Sequence, residues 1–251
     1  TKDHLDWHGS MNEYIESKLK IFSLQKKNNL ALINSKKLVR MFRKNKYISK
    51  LKFISVKDYK KIKNKIKNNY LNSESNEENM SFVYALSKIL KIKEKSFIKC
   101  LKSFKGLNHR HEIFYKKNNK IFINDSKATS FEASRFALKN NKNILWIVGG
   151  LPKVGDRFVL EKVKKNIIKA YIIGKNINFF KKKIQNKINY STTRNLKNAI
   201  LKIFDDIKLF KKKENVILLS PASASYDQFL NFEKRGNEFK RLIKNYAERH
   251  I

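Results

Sequence analysis

From residue 112 onward, short apolar runs alternate with longer segments of helical period, and few folds accommodate that alternation. Strands are expected at 112–116, 121–124, 144–148, 170–173 and 216–219, and helices at 130–140, 158–167, 195–210 and 227–248. Strands separated by helices need crossover connections, hence a mainly parallel sheet and an α/β architecture. The stretch 121–132 is the most informative unit. Ile121, Phe122 and Ile123 read as a buried strand, and Asn124, Asp125, Ser126, Lys127, Ala128 and Thr129 follow as an abruptly polar turn. Thr129 and Glu132 have capping-box spacing, which predicts a helix running through Arg135 and Leu138. In open parallel sheets ligands bind beyond the carboxyl ends of the strands, and helix N-termini favour anions. Three expected strands end in such loops: NDSKATS at 124–130, GGLPKVGD at 149–156 and SPASAS at 220–225. If they converge, Lys127, Lys153, Thr129 and Ser225 face one anionic ligand together.

The rest of the chain bounds this reading. With 251 residues there is room for a real core, in one large or two modest domains. The turn Gly106-Leu107-Asn108 marks the expected boundary, giving domains 1–107 and 108–251. In the first, Met11, Tyr14, Ile15, Lys18, Leu19 and Phe22 share one helical face. Lys18 therefore sits in an apolar stripe, either as a snorkelling side chain or as a partly desolvated amine open to modification. A strand follows at 30–33, and helices at 80–90 and 96–104, with a polar break NSESNEEN at 72–79 that places Asn76 and Asn79 at a helix start. His4, Asp6 and His8 crowd a polar segment at 1–10. A single cysteine, Cys100, excludes an internal disulfide and fits a reducing compartment. No apolar run approaches a membrane span, so no membrane insertion is expected.

The balance of 58 Lys and Arg against 21 Asp and Glu gives a net charge of +37, which favours a polyanion partner. The excess is diffuse lysine, however, accompanied by Asn, Ile, Phe and Tyr, whose codons are all A/T-rich. Genome bias accounts for the set, and no specific nucleic acid is expected. Only seven glycines are present and none lies in a G-x-x-x-x-G-K-[ST] context. Gly150 and Gly155 have the spacing, but Asp156 and Arg157 follow, so the chain carries no Walker A loop.

INDSKAT at 123–129, the Gly149-Gly150 loop with Lys153, and LLSPASASYDQFLNFEKRGNEF at 218–239 closely resemble the Mur ligases, in particular their D-glutamate-adding branch. DHLDWHG at 3–9, YIESKLKIF at 14–22 and GLNHRHE at 106–112 match in the same order, so the resemblance runs end to end. It implies the second half of a central ATPase domain, followed by a Rossmann-like C-terminal domain that binds D-glutamate. A UDP-sugar domain and the Walker A segment would precede Thr1, making this an N-terminally truncated piece, inactive by itself. The implied reaction is ATP-dependent amide formation between UDP-N-acetylmuramoyl-L-alanine and D-glutamate, by way of an acyl phosphate, in peptidoglycan synthesis. ATP and Mg²⁺ are the implied cofactors, and a cytoplasmic monomer the implied state.

Carried over by position, His4 resembles a Mg²⁺ ligand and Lys18 a carbamylated lysine that helps to hold the ion, the two forming the catalytic set. Asn76 and Asn79 match adenine contacts, although Ser75 stands where the family usually has His. Arg110, Asp125 and Lys127 match nucleotide-binding positions, Asp125 being suited to ribose hydroxyls. Thr129, Lys153, Ser225 and Phe232 match the D-glutamate pocket, where Tyr226 replaces a commonly smaller apolar residue. His109 matches without an assigned role. A sister Mur or folylpolyglutamate ligase is the nearer alternative, disfavoured by SPASASYDQF, and a basic nucleic-acid-binding α/β protein the more distant one.

Overall fold

The strand–helix alternation becomes a six-stranded sheet in the computed structural model, which describes residues 5–71, 74–210 and 214–250. Two compact units divide between Lys105 and Gly106. The second contains β3 (Glu112–Lys117), β4 (Lys120–Asn124), α7 (Phe131–Asn140), β5 (Ile144–Gly149), β6 (Ile167–Ile173), α8 (Ile177–Ile184), β7 (Tyr190–Arg194), α9 (Leu196–Ile207), β8 (Asn215–Leu219) and α10 (Phe232–His250). The sheet order is β3-β4-β8-β5-β6-β7, parallel throughout except for β3, which pairs antiparallel with β4 at one edge.

Central strands of a parallel sheet are covered on both faces and so read as unbroken apolar runs. All residues of β5 and β8 are buried. On one face Trp146 and Val148 pack with Phe131 and Leu138 of α7, Phe180 of α8, and Phe158. On the other, Phe122, Ile147 and Tyr171 meet Ile203 and Phe204 of α9 and Phe239 and Ile243 of α10. The sheet is thus a middle layer between two helical layers.

Several boundaries differ from expectation. Residues 158–163 form no helix; only a single 3₁₀ turn, Lys164–Asn166, precedes β6. Phe158 and Leu160 are buried while Val159 is exposed, and that alternation needs extended chain. The Phe158 ring centroid lies 4.2 Å from that of Phe131 and 6.0 Å from that of Trp146, so aromatic packing fixes this segment. Helix α7 is capped by Ser130, whose Oγ accepts from Ala133 N at 3.2 Å, not by Thr129; Glu132 instead pairs with Arg135. Helix α10 starts only at Phe232, after Asn231 has accepted from Lys234 N at 2.8 Å. Helix α8 and strand β7 had no expected counterpart. β7, YSTTR, buries a single residue, Thr193, and an edge strand of that composition has no apolar run to read.

The first unit comprises α1 (Leu5–His8), α2 (Met11–Ser23), β1 (Leu30–Ile33), α3 (Lys36–Lys44), β2 (Lys50–Phe53), α4 (Val56–Ile66), α5 (Glu74–Ile89) and α6 (Glu94–Ser103). β1 and β2 form a two-stranded parallel sheet. Two small clusters hold the unit: Ala31 and Ile33 with Phe42, and Tyr59, Ile62, Ile66 and Leu71 with Phe97. Ile21, Leu24, Leu86 and Leu90 remain exposed. Among the described residues no helix is long and apolar enough to cross a membrane.

Because the second unit has both layers of its core within itself, a chain of residues 106–251 is expected to fold alone. A single cooperative thermal transition with coincident near- and far-ultraviolet dichroism is the expected result; a featureless melt would contradict it.

Candidate functional site

Strands β4, β8 and β5 are consecutive neighbours in the sheet, so the loops leaving their carboxyl ends share one edge. The loops are joined in pairs. Ser220 Oγ donates to Asp125 Oδ2 at 2.7 Å, linking the β8 and β4 loops. Leu151 and Ala224 exchange backbone hydrogen bonds of 2.9 and 3.0 Å, linking β5 to β8. Phe131 N donates to Asp156 Oδ2 at 2.5 Å, so the β5 loop supplies the carboxylate at the start of α7.

Arg235 of α10 sits at the centre of this triangle and is 1% exposed. Its Nε donates to Ser126 Oγ at 3.0 Å, and one terminal nitrogen donates to Ser126 O and Ser223 O at 2.9 and 3.0 Å. Burial pulls its ionisation down to about 10, with the Asp227 carboxylate opposing, so it stays charged near neutrality. The other terminal nitrogen has no hydrogen-bond partner and faces Gly150. Gly150 adopts φ +140°, and a Cβ there would lie 2.4 Å from Ala224 O and 2.6 Å from Ser223 Oγ; only glycine lets the β5 loop approach this closely.

Asp125 is held on both oxygens: Oδ2 by Ser220, and Oδ1 by His111 N at 3.0 Å. At 8% exposure it has little surface for a ribose, although each oxygen keeps a further lone pair. Burial pushes its carboxyl up to about 7, against the opposing effects of Ser220, His111 N–H and the Arg110 charge. Arg110 itself is exposed. Lys127 is half-buried, its ammonium 3.7 Å from the centroid of the Phe232 ring, while Phe232 O accepts from Ser126 Oγ at 2.8 Å. The expected nucleotide residue Lys127 and the expected pocket residue Phe232 are therefore in direct contact. Thr129 and Lys153 are half-buried on the β4 and β5 loops, and Ser225 is buried on the β8 loop.

The other expected residues belong to the first unit. Asn76 lies in the first turns of α5 and its Nδ2 donates to Tyr70 O at 2.7 Å; Asn79 is exposed on the same helix. Lys18 is exposed, with its ammonium 5.5 Å from the Tyr14 ring centroid, so the desolvation suggested by its stripe is absent: Leu19 alone of that helix is buried. His4 lies outside the described residues. Among the described residues no three His, Cys, Asp or Glu side chains converge to hold a metal. A cavity of about 270 Å³ in this unit, lined by Lys52, Lys61, Tyr84 and Lys88 among others, contains none of the expected site residues.

The spacing of the loops did not single out Asn124, Asp156, Ser220, Arg235 or Gly236. A polar residue closing an apolar strand was the available signal for Asn124 and Ser220; Arg235 and Gly236 stand in the 218–239 motif, which gave them no role.

The chain belongs to a family of ligases. Residues 1–98 match the Mur ligase middle domain. A structure of MurF from Acinetobacter baumannii superposes over 99% of this chain and 58% of that chain, with a TM-score of 0.65 at 13% identity, a likeness of fold alone. Together with the relatives below, these matches place the chain in the Mur ligase family. Those relatives are named UDP-N-acetylmuramoylalanine--D-glutamate ligase. The one from Wolbachia sp. subsp. Brugia malayi (strain TRS) is 38% identical over 99% of this chain and 52% of its own length. That from Rickettsia prowazekii (strain Madrid E) is 33% identical over 98% of this chain and 60% of its own length. The chain thus spans between about half and three-fifths of these two relatives.

Two outcomes are expected from this geometry. The Asp125 carboxyl is raised from 3.8 in the unfolded chain to about 7 when folded, so between those values the folded state binds more protons. Stability from this group is present below about pH 4 and falls as pH rises to about 7. Asp125→Asn should remove that slope and stabilise the protein at pH 8 by on the order of 1–4 kcal/mol, read from urea midpoints. Arg235→Ala should cost about 3–5 kcal/mol in the same assay, since Ser126 O and Ser223 O lose their buried donor.

Proposed function

We propose that this chain provides the D-glutamate pocket and part of the nucleotide contacts of a UDP-N-acetylmuramoyl-L-alanine:D-glutamate ligase. The observation that carries the reading is the pinned triangle of loops, which presents the residues matching that branch along one sheet edge, in a chain related over nearly its whole length to such ligases. In the proposed reaction a carboxylate oxygen of the UDP-sugar substrate attacks the γ-phosphorus of ATP and ADP departs. The amine of D-glutamate then attacks the acyl carbon, a tetrahedral intermediate collapses, and phosphate leaves with the amide formed and a proton released.

Lys153 pairs with a carboxylate of D-glutamate, while Thr129 and Ser225 offer hydroxyls that orient it and Phe232 forms an apolar wall. Lys127, stacked on that wall, and Arg110 lend positive charge on the nucleotide side; Asp125 orients the ribose through the lone pairs left to it. Asn76 and Asn79 are assigned to adenine. Magnesium is expected from the family. Because His4 is outside the described residues and Lys18 is exposed, the assignments of both rest on sequence similarity. The chain carries no Walker A loop, so the cradle for the transferred phosphate is not among its motifs.

Calorimetric titration tests the pocket. D-glutamate should bind in preference to L-glutamate, and Lys153→Ala should weaken it at least about tenfold, the usual scale for losing a charge-assisted bond. Equal affinity for both enantiomers, or an unchanged Lys153→Ala, would remove the pocket from this edge. In a phosphate-release assay with ATP, Mg²⁺, the UDP-sugar and D-glutamate, the 251-residue chain alone is expected to show no turnover; measurable turnover would mean that phosphate is cradled by residues not named above.

A further inference from the structure

We propose that Asn124 is a positioning residue: by holding His109 in one orientation and one tautomer, it sets the turn bearing Arg110 against the loop bearing Asp125 and Lys127. The consequence for ligand binding rests on the nucleotide reading of that loop given above.

Asn124 closes β4 and is fully buried. Its Nδ2 lies 2.9 Å from His109 Nδ1, 3.2 Å from Glu112 Oε2 and 3.3 Å from Gly236 O, while its Oδ1 accepts from Ser126 N at 3.2 Å. The amide cannot be reversed, because its oxygen would then face a carboxylate and a carbonyl, and its nitrogen an N–H. With the amide fixed, His109 Nδ1 must accept, and the ring proton resides on Nε2. Burial of His109 and the charge of Lys240 favour the neutral ring, against the carboxylates of Glu112 and Glu233.

The backbone of this turn carries the connection. His109 has φ +63° and is 6% exposed. Its N–H donates to Glu112 Oε2 at 2.9 Å, and its carbonyl accepts from Lys127 N at 3.0 Å. Two residues on, His111 N–H holds Asp125. Lys240 from α10 fixes the other oxygen of Glu112 at 3.0 Å. There is no slack behind the ring: a Cβ on Gly236 would sit 2.3 Å from His109 Nδ1 and 3.0 Å from Asn124 Oδ1.

Two variants separate this role from a general structural one. Asn124→Asp is isosteric but places an acceptor opposite Nδ1; Gly236→Ala crowds the ring most closely while keeping the Asn124 amide chemically intact. On the 251-residue chain, long-range ¹H–¹⁵N spectra should show His109 protonated at Nε2 in the parent and gaining a proton at Nδ1 in Asn124→Asp. The Lys127 amide should exchange at least tenfold faster in both variants, and ADP should bind at least tenfold more weakly, with cooperative thermal melts retained. ADP affinities within twofold of the parent in both variants, or a parent His109 protonated at Nδ1, would overturn the proposal. If the parent binds no ADP, the nucleotide reading fails by itself. The positioning role is then decided by the tautomer and by Lys127 exchange: changes in both variants sustain it, and their absence overturns it. Should Asn124→Asp not fold, Gly236→Ala and Asn124→Ser carry the same exchange and affinity criteria.

Discussion

The buried guanidinium of Arg235 is the interaction on which the edge depends. Moving a full charge out of water costs several kcal/mol even after relaxation, so the position is tenable only if its donors meet good acceptors. Here the acceptors are Ser126 Oγ, Ser126 O and Ser223 O, supplied by two different loops. A β5 loop without a Cβ at Gly150 closes the third side. Arginine suits this because its planar fork presents several donors at fixed angles, which a lysine does not. The cost of burying the charge becomes a constraint on the β4 and β8 loops: either one that moves away leaves a desolvated donor behind, while the Leu151–Ala224 backbone pair ties the β5 loop to the β8 loop. The loops that carry Lys127, Lys153 and Ser225 are thus held to one geometry before any ligand arrives, which is what a site for a small charged molecule requires.

That constraint explains which parts of the molecule were legible in its sequence. The central strands were, because β5 and β8 are buried on both faces and read as plain apolar runs. The polar loops at their ends were legible for the same reason, as sharp departures from those runs. β7 was not, since an edge strand that buries only Thr193 lacks the contrast. The segment 158–163 misled because Phe158 and Leu160 are placed by aromatic and aliphatic contacts far away in sequence. Within the site, Lys127, Lys153, Thr129 and Ser225 could be named from loop composition and resemblance. The residues that hold those loops together, Asn124, Asp156 and Arg235, are recognisable only once partners more than twenty residues apart are seen in contact.

The two units differ in how completely they satisfy themselves. The second encloses its sheet between two helical layers, with large side chains such as Trp146, Tyr171 and Phe204 removed from water. The first has four-residue strands in a two-stranded sheet, which by itself is marginal in water, and smaller clusters. It also leaves Leu24 and Leu90 more than two-thirds exposed. The large positive charge adds mutual repulsion that opposes compaction and limits self-association. Residues expected to act from the first unit, Lys18 and Asn79, accordingly lie at its exposed surface, while those of the second sit among buried supports.

The arrangement of charge along the edge has its own logic. Arg110 is exposed and Lys127 is stacked on an aromatic ring, and among the described residues neither forms a salt bridge. Asp125, beside them, is withdrawn into the protein and given neutral partners, a serine hydroxyl and a backbone N–H. A carboxylate in contact with either cation would consume the positive potential by which an anion is attracted. Burying it instead makes its ionisation costly and brings its titration to about 7. Arg110 is therefore presented outward and Asp125 inward, and the positive potential beside this turn rises as Asp125 takes up a proton. Under the nucleotide reading proposed above, binding of an anion and protonation of Asp125 are linked by that field, so each would favour the other.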